Sequence, residues 1–261
     1  MTFVLIATAL YLVAAGLLVR SVARGSESTR LWLLPAVAAV AIHAAVHVNA
    51  WQAAGGADLH FFAALSLVGL GMAALTTLYD ASGRMAALGV LVFPIAAVSL
   101  LGYANYGHVP TVALDWRLQL HAWCALLAYA TLAVAALLAL MLWAQERALR
   151  RREFRGWLRA LPPLTELESL LFRTIAVGFA LLTATLLTGM LFVENLFAQH
   201  LVHKTVLSVL SWLAFGALLL GRCRYGWRGA MAVRWTLIAM ALLVLAFFGS
   251  KFVLELLLRR V

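Results

Sequence analysis

The sequence predicts an all-α membrane protein, a polytopic bundle of about eight transmembrane helices. Two observations predict this fold class. Of the 261 residues, 65% are hydrophobic and only 11% are charged, whereas a soluble domain carries roughly 25% charged residues. The apolar residues also fall into runs close to the ~20 residues that a helix needs to cross a bilayer. Because no linker, repeat or low-complexity tract divides the chain, we expect a single transmembrane domain over residues 1–261.

Eight apolar runs are the candidates for the spanning helices, and polar or glycine-containing segments separate them. Examples of such breaks are Gly55–Asp58 and Ala81–Gly83. Thr165 and Glu168 have the spacing of a capping box ahead of the sixth run. In chain order the runs are Thr2–Val19, Leu31–Ala54, Phe61–Tyr79, Met85–Ala104, Leu118–Ala144, Ser169–Leu196, Leu201–Gly221 and Trp235–Leu258.

The arginines predict how these helices are oriented. The loops on one side carry fourteen arginines, whereas the opposite loops and tails carry three, Arg117, Arg259 and Arg260. Cytoplasmic loops are enriched in Lys and Arg, so we expect a bacterial inner-membrane protein with both termini in the periplasm. The fourteen are Arg20, Arg24, Arg30, Arg84, Arg147, Arg150, Arg151, Arg152, Arg155, Arg159, Arg222, Arg224, Arg228 and Arg234.

Composition also argues against several classes of function. The formal charge of +10 comes with no basic face of interleaved aromatics, so we expect the bilayer rather than nucleic acid as the partner. Cys124 and Cys223 are isolated, and the chain has no CxxC or CxxCH motif. A disulfide framework and covalent haem attachment are therefore not expected. No constellation of residues predicts a catalytic site, and we do not expect an enzyme.

The seven histidines all fall on the predicted outer side. His43 and His47 lie in the outer half of the second run, while His121 and His203 lie near the starts of the fifth and seventh. Ionisable residues within a membrane usually have a function, and imidazole is a common ligand of metals and haem iron. Because His43 and His47 are four residues apart, they share a helix face. That pair suits a haem, a proton relay or a transition metal. The others, nearer to loops, are His60, His108 and His200.

A haem site also needs cations for the propionates and flat apolar walls. Arg117 and Lys204 stand beside His121 and His203, and Trp123 follows on the same outer side. These five residues are the candidates for a haem site, with the two histidines as candidate iron ligands, although the histidines alone do not name the ligand. Aromatic belts at the membrane interface are the alternative explanation for the tryptophans.

Three segments are similar to the cytochrome c assembly protein family, which includes the CcsA-like and CcmC-like proteins. Residues 118–130, with His121 and the step Ala128-Tyr129-Ala130, resemble the family's histidine-bearing helix start. Residues 203–229 resemble its late helix and basic loop, and residues 248–252 resemble the YpjD-like and HemX-like branch without the tryptophan-rich motif. The resemblance covers most of the chain and is clearest over residues 118–255.

The resemblance implies a protein that binds or handles haem b non-covalently at its outer face. His121 and His203 match the family's outer histidines, and His43 matches a membrane-embedded one, with His47 beside it. This chain has no tryptophan between Gly189 and His200, so transfer of haem to an apocytochrome is not implied. Two alternatives stay open: a regulator of haem synthesis that acts through a partner from haem synthesis or cytochrome c assembly, and a transporter of a small solute or ion.

Overall fold

The fold is given by a computed structural model that describes residues 1–24, 30–80, 86–106, 115–152, 161–192 and 202–253. Within these residues the chain forms eight α-helices and no strand, and each helical segment is long and apolar enough to cross a membrane. The predicted fold class is therefore confirmed. The helices are α1 (Thr2–Arg24), α2 (Leu33–Ala54), α3 (Phe61–Asp80), α4 (Ala86–Asn105), α5 (Trp116–Arg150), α6 (Leu164–Phe192), α7 (Val202–Tyr225) and α8 (Ala230–Val244).

Helices α1, α5, α6, α7 and α8 each extend beyond the predicted runs by several residues, and α5 and α8 are examples. Helix α5 continues past Ala144 to Arg150, because the residues that follow Ala144 are strong helix formers such as Gln, Glu, Arg and Leu. Helix α8 begins at Ala230 rather than Trp235, so Arg234 lies within a helix and not in the preceding loop. A π turn, Leu245–Gly249, then continues α8.

The capping box predicted at Thr165 and Glu168 is wrong. Helix α6 begins at Leu164, so Thr165 already lies inside its first turn. Glu168 instead accepts a hydrogen bond of 3.1 Å from the backbone N–H of Gly229, and its Oε1 lies 3.5 Å from Arg222 Nη1. The carboxylate therefore connects α6 to the segment that joins α7 and α8.

The chain groups into two compact units. Unit 1 comprises residues 1–112 and 144–167 and contains α1 to α4. Helix α4 packs against α1 and α3, and α2 packs against the same two helices. A Cβ added at Gly69 on α3 would lie 2.3 Å from Ser99 Oγ on α4, so glycine permits this close helix contact, as small residues commonly do in membranes.

Unit 2 comprises residues 113–143 and 168–261 and contains most of α5 and α6 together with α7 and α8. Helix α7 packs along α8 and its π turn. A Cβ added at Gly178 on α6 would lie 2.5 Å from Leu132 Cδ2 on α5, which again marks a close approach of two helices. That all 261 residues form one domain stays a prediction.

Candidate functional site

Unit 2 encloses an apolar cavity of about 580 Å³ between its four helices. Residues from α5, α6, α7 and the end of α8 all line it. Most of the lining is aliphatic or aromatic, and His121 and Lys204 bring an imidazole and an ammonium group. Small-molecule and cofactor sites typically have this volume and this combination of an apolar wall with a few placed polar groups.

The hydroxyl of Thr188 is a hydrogen-bond partner of the His121 ring. His121 Nδ1 lies 3.1 Å from Thr188 Oγ1. The same hydroxyl lies within hydrogen-bond distance of the carbonyl oxygens of Ala184 and Thr185, at 2.8 and 3.0 Å. In the arrangement where its single hydrogen goes to a carbonyl, Thr188 accepts a hydrogen bond from Nδ1–H of His121, and the lone pair of the neutral imidazole is on Nε2. Metal-bound histidines commonly have this outer-shell hydrogen bond.

Gly189, the next residue on α6, leaves room for the same imidazole. A Cβ at this position would lie 3.2 Å from His121 Cε1, which is closer than such contacts normally are. The Nδ1–Cε1 edge of the His121 ring therefore meets α6 at Thr188, its hydrogen-bond partner, and at Gly189, which has no side chain.

The other residues predicted around His121 lie in different environments. Lys204 lines the cavity, and its role as a propionate partner stays a prediction. His203 is exposed at the start of α7 and does not belong to the lining. Trp123 is also exposed and outside the lining. Arg117 lies over the rings of Trp116 and Phe192, at 5.7 and 5.9 Å from their centroids. The joint ligation of one iron by His121 and His203 stays a prediction.

Aromatic residues form the deeper part of the cavity wall. Trp212 stacks on Phe179, with centroids 5.5 Å apart, and donates a 2.8 Å hydrogen bond from Nε1 to Thr183 Oγ1. Tyr129 donates to the carbonyl oxygen of Leu243, directly before the π turn of α8. Since π turns are rare and occur often at functional sites, this local widening of α8 is part of how the cavity is built.

Unit 1 brings His43 and His47 together, as their spacing predicts. Their ring centroids lie 5.5 Å apart, and the Nε2 atoms of both lie 2.9 Å from Ser66 Oγ on α3. A hydroxyl has one hydrogen, so Ser66 donates to at most one of the two imidazoles and accepts from at least one. Tyr11 on α1 lies within 3.2 Å of His43 Nδ1. The pair therefore belongs to a buried hydrogen-bonded network that joins α1, α2 and α3.

The network continues towards the connection between α2 and α3. Tyr103 stacks on His47 at 4.5 Å and on His60 at 5.9 Å between centroids. His60 Nδ1 lies 2.6 Å from Asp58 Oδ1, and these two side chains are only 10% and 8% exposed. The sequence places His60 near a loop, and the structure shows that its ring is nevertheless packed inside unit 1.

Sequence reasoning missed several residues of both clusters. On α7, Ser208 and Trp212 line the cavity one and two helical turns after Lys204, and this i, i+4, i+8 spacing could have predicted the shared face. Ser66 and Tyr11 could have been noticed as polar groups in apolar runs. Thr188 gave no such signal, because a threonine in a membrane helix usually bonds to its own backbone. His108 and His200 lie outside the described residues.

These features define the class of protein: a polytopic membrane protein with a histidine-bearing apolar cavity in one of its two helical units. Residues 4–258 match the family described as Cytochrome C assembly protein. "Inner membrane protein YpjD" of Escherichia coli (strain K12) is 30% identical over 97% of this chain and 98% of that protein. An "Uncharacterized 28.8 kDa protein in nifR3-like 5'region" of Azospirillum brasilense is 41% identical over 58% of this chain and 55% of that protein. No solved structure matches the chain.

The family match spans nearly the whole sequence, so the chain belongs to the cytochrome c assembly protein family. The resemblance inferred from residues 118–130 and 203–229 is confirmed by this match, and so is the relationship to the YpjD branch.

Proposed function

We propose that this protein binds one haem b non-covalently in the cavity of unit 2, with His121 as an iron ligand. The observation that carries the proposal is the position of His121: its Nδ1 is bonded to Thr188, and the imidazole lines an apolar cavity of about 580 Å³. Haem iron brings four ring nitrogens of its own, so one or two protein side chains complete its coordination.

The length of the cavity supports a haem-sized ligand. On α5 the lining runs from His121 to Tyr129, and on α7 from Lys204 to Trp212. Eight residues of α-helix rise about 12 Å, which is close to the long dimension of a porphyrin. Lys204 supplies a cation at the same end as His121, where it would neutralise a propionate.

His203, Arg117 and Trp123 are proposed to complete the haem site from outside the present lining. His203, one residue before Lys204, is the proposed second ligand, and its exposed ring would have to turn towards the cavity on binding. Arg117 and Trp123 are proposed to contact the propionates and the haem edge from outside the present lining. His43 and His47 could hold a second haem in unit 1, but each would first have to release its hydrogen bond to Ser66.

We also propose that the protein is a haem-holding component of a bacterial inner membrane, with both termini in the periplasm. The family membership supports involvement in haem handling, and the loop arginines support the orientation. The same cavity would suit a regulator of haem synthesis. Such a regulator would differ only in having a partner protein that responds to whether haem is bound.

The test is the Soret absorbance of protein purified from cells supplied with ample haem. Wild type should show a Soret band, and a pyridine haemochrome assay should identify haem b. His121→Ala should abolish or strongly shift the band, and His203→Ala should shift it by removing the second ligand. Cys124→Ala, on the same helix as His121, is the control and should leave the band unchanged. If wild type shows no Soret band, haem binding is abandoned as the primary function.

A further inference from the structure

Judged by its described lining residues, the cavity of unit 2 is open on one side only. Three lining residues are strongly exposed: Leu187 at 55%, Met190 at 69% and Val209 at 38%. The first two lie on α6 and the third on α7. The described lining residues of α5 and of the end of α8 are all buried or half-buried. The opening is therefore the seam between α6 and α7.

The chemistry of this seam identifies the medium that it faces. Leu187, Met190 and Val209 are uncharged and apolar, and they lie in helical segments long and apolar enough to span a membrane. Leu187 and Met190 lie close to the end of α6, and exposed apolar side chains on a spanning helix face lipid chains rather than water. A water-soluble ligand would have to cross this hydrocarbon surface, whereas a lipophilic macrocycle dissolves in it.

The interior of the cavity shows what would cross the seam. Lys204 and His121 lie in the lining, so the ligand should carry both an acidic group and a group that binds to imidazole. A porphyrin has a broad apolar body and propionates at one edge, and it therefore suits both the seam and the interior.

We infer that haem enters and leaves the cavity laterally, from the hydrocarbon layer through the seam between α6 and α7. This inference rests on the proposed function. Met190 and Leu187 are the gate-lining residues, because they are three positions apart on one face of α6 and are both exposed and part of the cavity wall.

The experiment measures how fast the Soret band develops when apoprotein in liposomes receives haem from a second liposome population loaded with haem. Met190→Trp and Leu187→Trp should slow this rate about tenfold, a barrier increase of about 1.4 kcal/mol. Leu213→Trp is the matched control: Leu213 lies on α7, is 51% exposed and does not line the cavity. Its rate should equal that of wild type.

The opposite substitution keeps the test independent of folding defects. Met190→Ala widens the seam and should make uptake faster than in wild type, whereas a merely destabilised protein would not take up haem faster. Equal rates in wild type, Met190→Trp and Met190→Ala would overturn lateral entry. A wild-type protein that reaches no Soret absorbance at equilibrium would overturn the proposed function instead, so the two failures are distinguishable.

Discussion

His121 and Thr188 are joined across α5 and α6 by a hydrogen bond of 3.1 Å between Nδ1 and Oγ1. When the threonine hydroxyl donates to a carbonyl oxygen of its own helix, the imidazole is the donor in this bond. In that arrangement one side chain selects the tautomer of His121 and orients its ring. The unprotonated Nε2 that results is the atom that would bind the iron of the proposed haem.

Thr188→Val should therefore weaken haem binding without abolishing it. The substitution preserves shape but removes the acceptor for Nδ1–H, and loss of such an outer-shell partner commonly lowers metal affinity about 10- to 100-fold. Haem titration of the apoprotein, followed at the Soret band, measures this. Thr174→Val is the control, since Thr174 bonds only to the carbonyl of Leu170 on the same helix. If both variants bind haem as tightly as wild type, Thr188 does not position the ligand.

The fold could be predicted from the sequence to a far greater extent than the site. Hydrophobic run length identifies membrane helices directly, because a bilayer imposes both their length and their composition. Their ends were less certain: nothing in the apolar pattern shows that α5 continues through Gln145 to Arg150, since those residues are polar yet form helix readily.

The candidate site was predictable only where a residue type is unusual in a membrane. His43, His47 and His121 stand out because ionisable groups are rare there. Ser66 and Thr188 do not, because their importance comes from the neighbouring helix that each one contacts, and a sequence does not show which helices are neighbours. His203 and Lys204 are adjacent in sequence, but only Lys204 lines the cavity, since successive residues of a helix point about 100° apart.

Ser66→Ala should destabilise the protein while leaving its Soret band unchanged. The substitution removes the hydroxyl shared by the two imidazoles and leaves buried ring nitrogens without that partner, at a cost of about 1–3 kcal/mol. Thermal unfolding in detergent measures the loss. Ser99→Ala should cost less, because Ser99 is equally buried but donates only to the carbonyl of Ala96 on its own helix. A Soret band that disappears in His43→Ala and persists in His121→Ala would show that unit 1, and not unit 2, holds the haem.

Tyr129→Phe should loosen the end of α8. The phenol is buried and donates to Leu243 O beside the π turn, and a hydrogen bond between helices in a membrane contributes roughly 1 kcal/mol. Its loss should increase amide hydrogen exchange around residues 243–249 and lower the unfolding temperature slightly. Tyr225→Phe is the control, because Tyr225 is 78% exposed. Unchanged exchange in Tyr129→Phe would mean that the π turn holds its shape without this hydroxyl.

The orientation in the membrane can be tested independently of haem. The excess of arginines in one set of loops predicts that both termini lie in the periplasm and that the segment after α5 lies in the cytoplasm. Alkaline phosphatase is active only outside the cytoplasm, so a fusion after Val261 should be active and an insertion at Arg152 inactive. A fluorescent protein that folds in the cytoplasm should give the reverse pattern at the same two positions. If both reporters give the opposite result, the orientation is inverted, and His121 and Lys204 would then lie at the cytoplasmic end of their helices. Haem would in that case be held on the side of the membrane where it is made, and a role in receiving it from synthesis would replace one at the outer face.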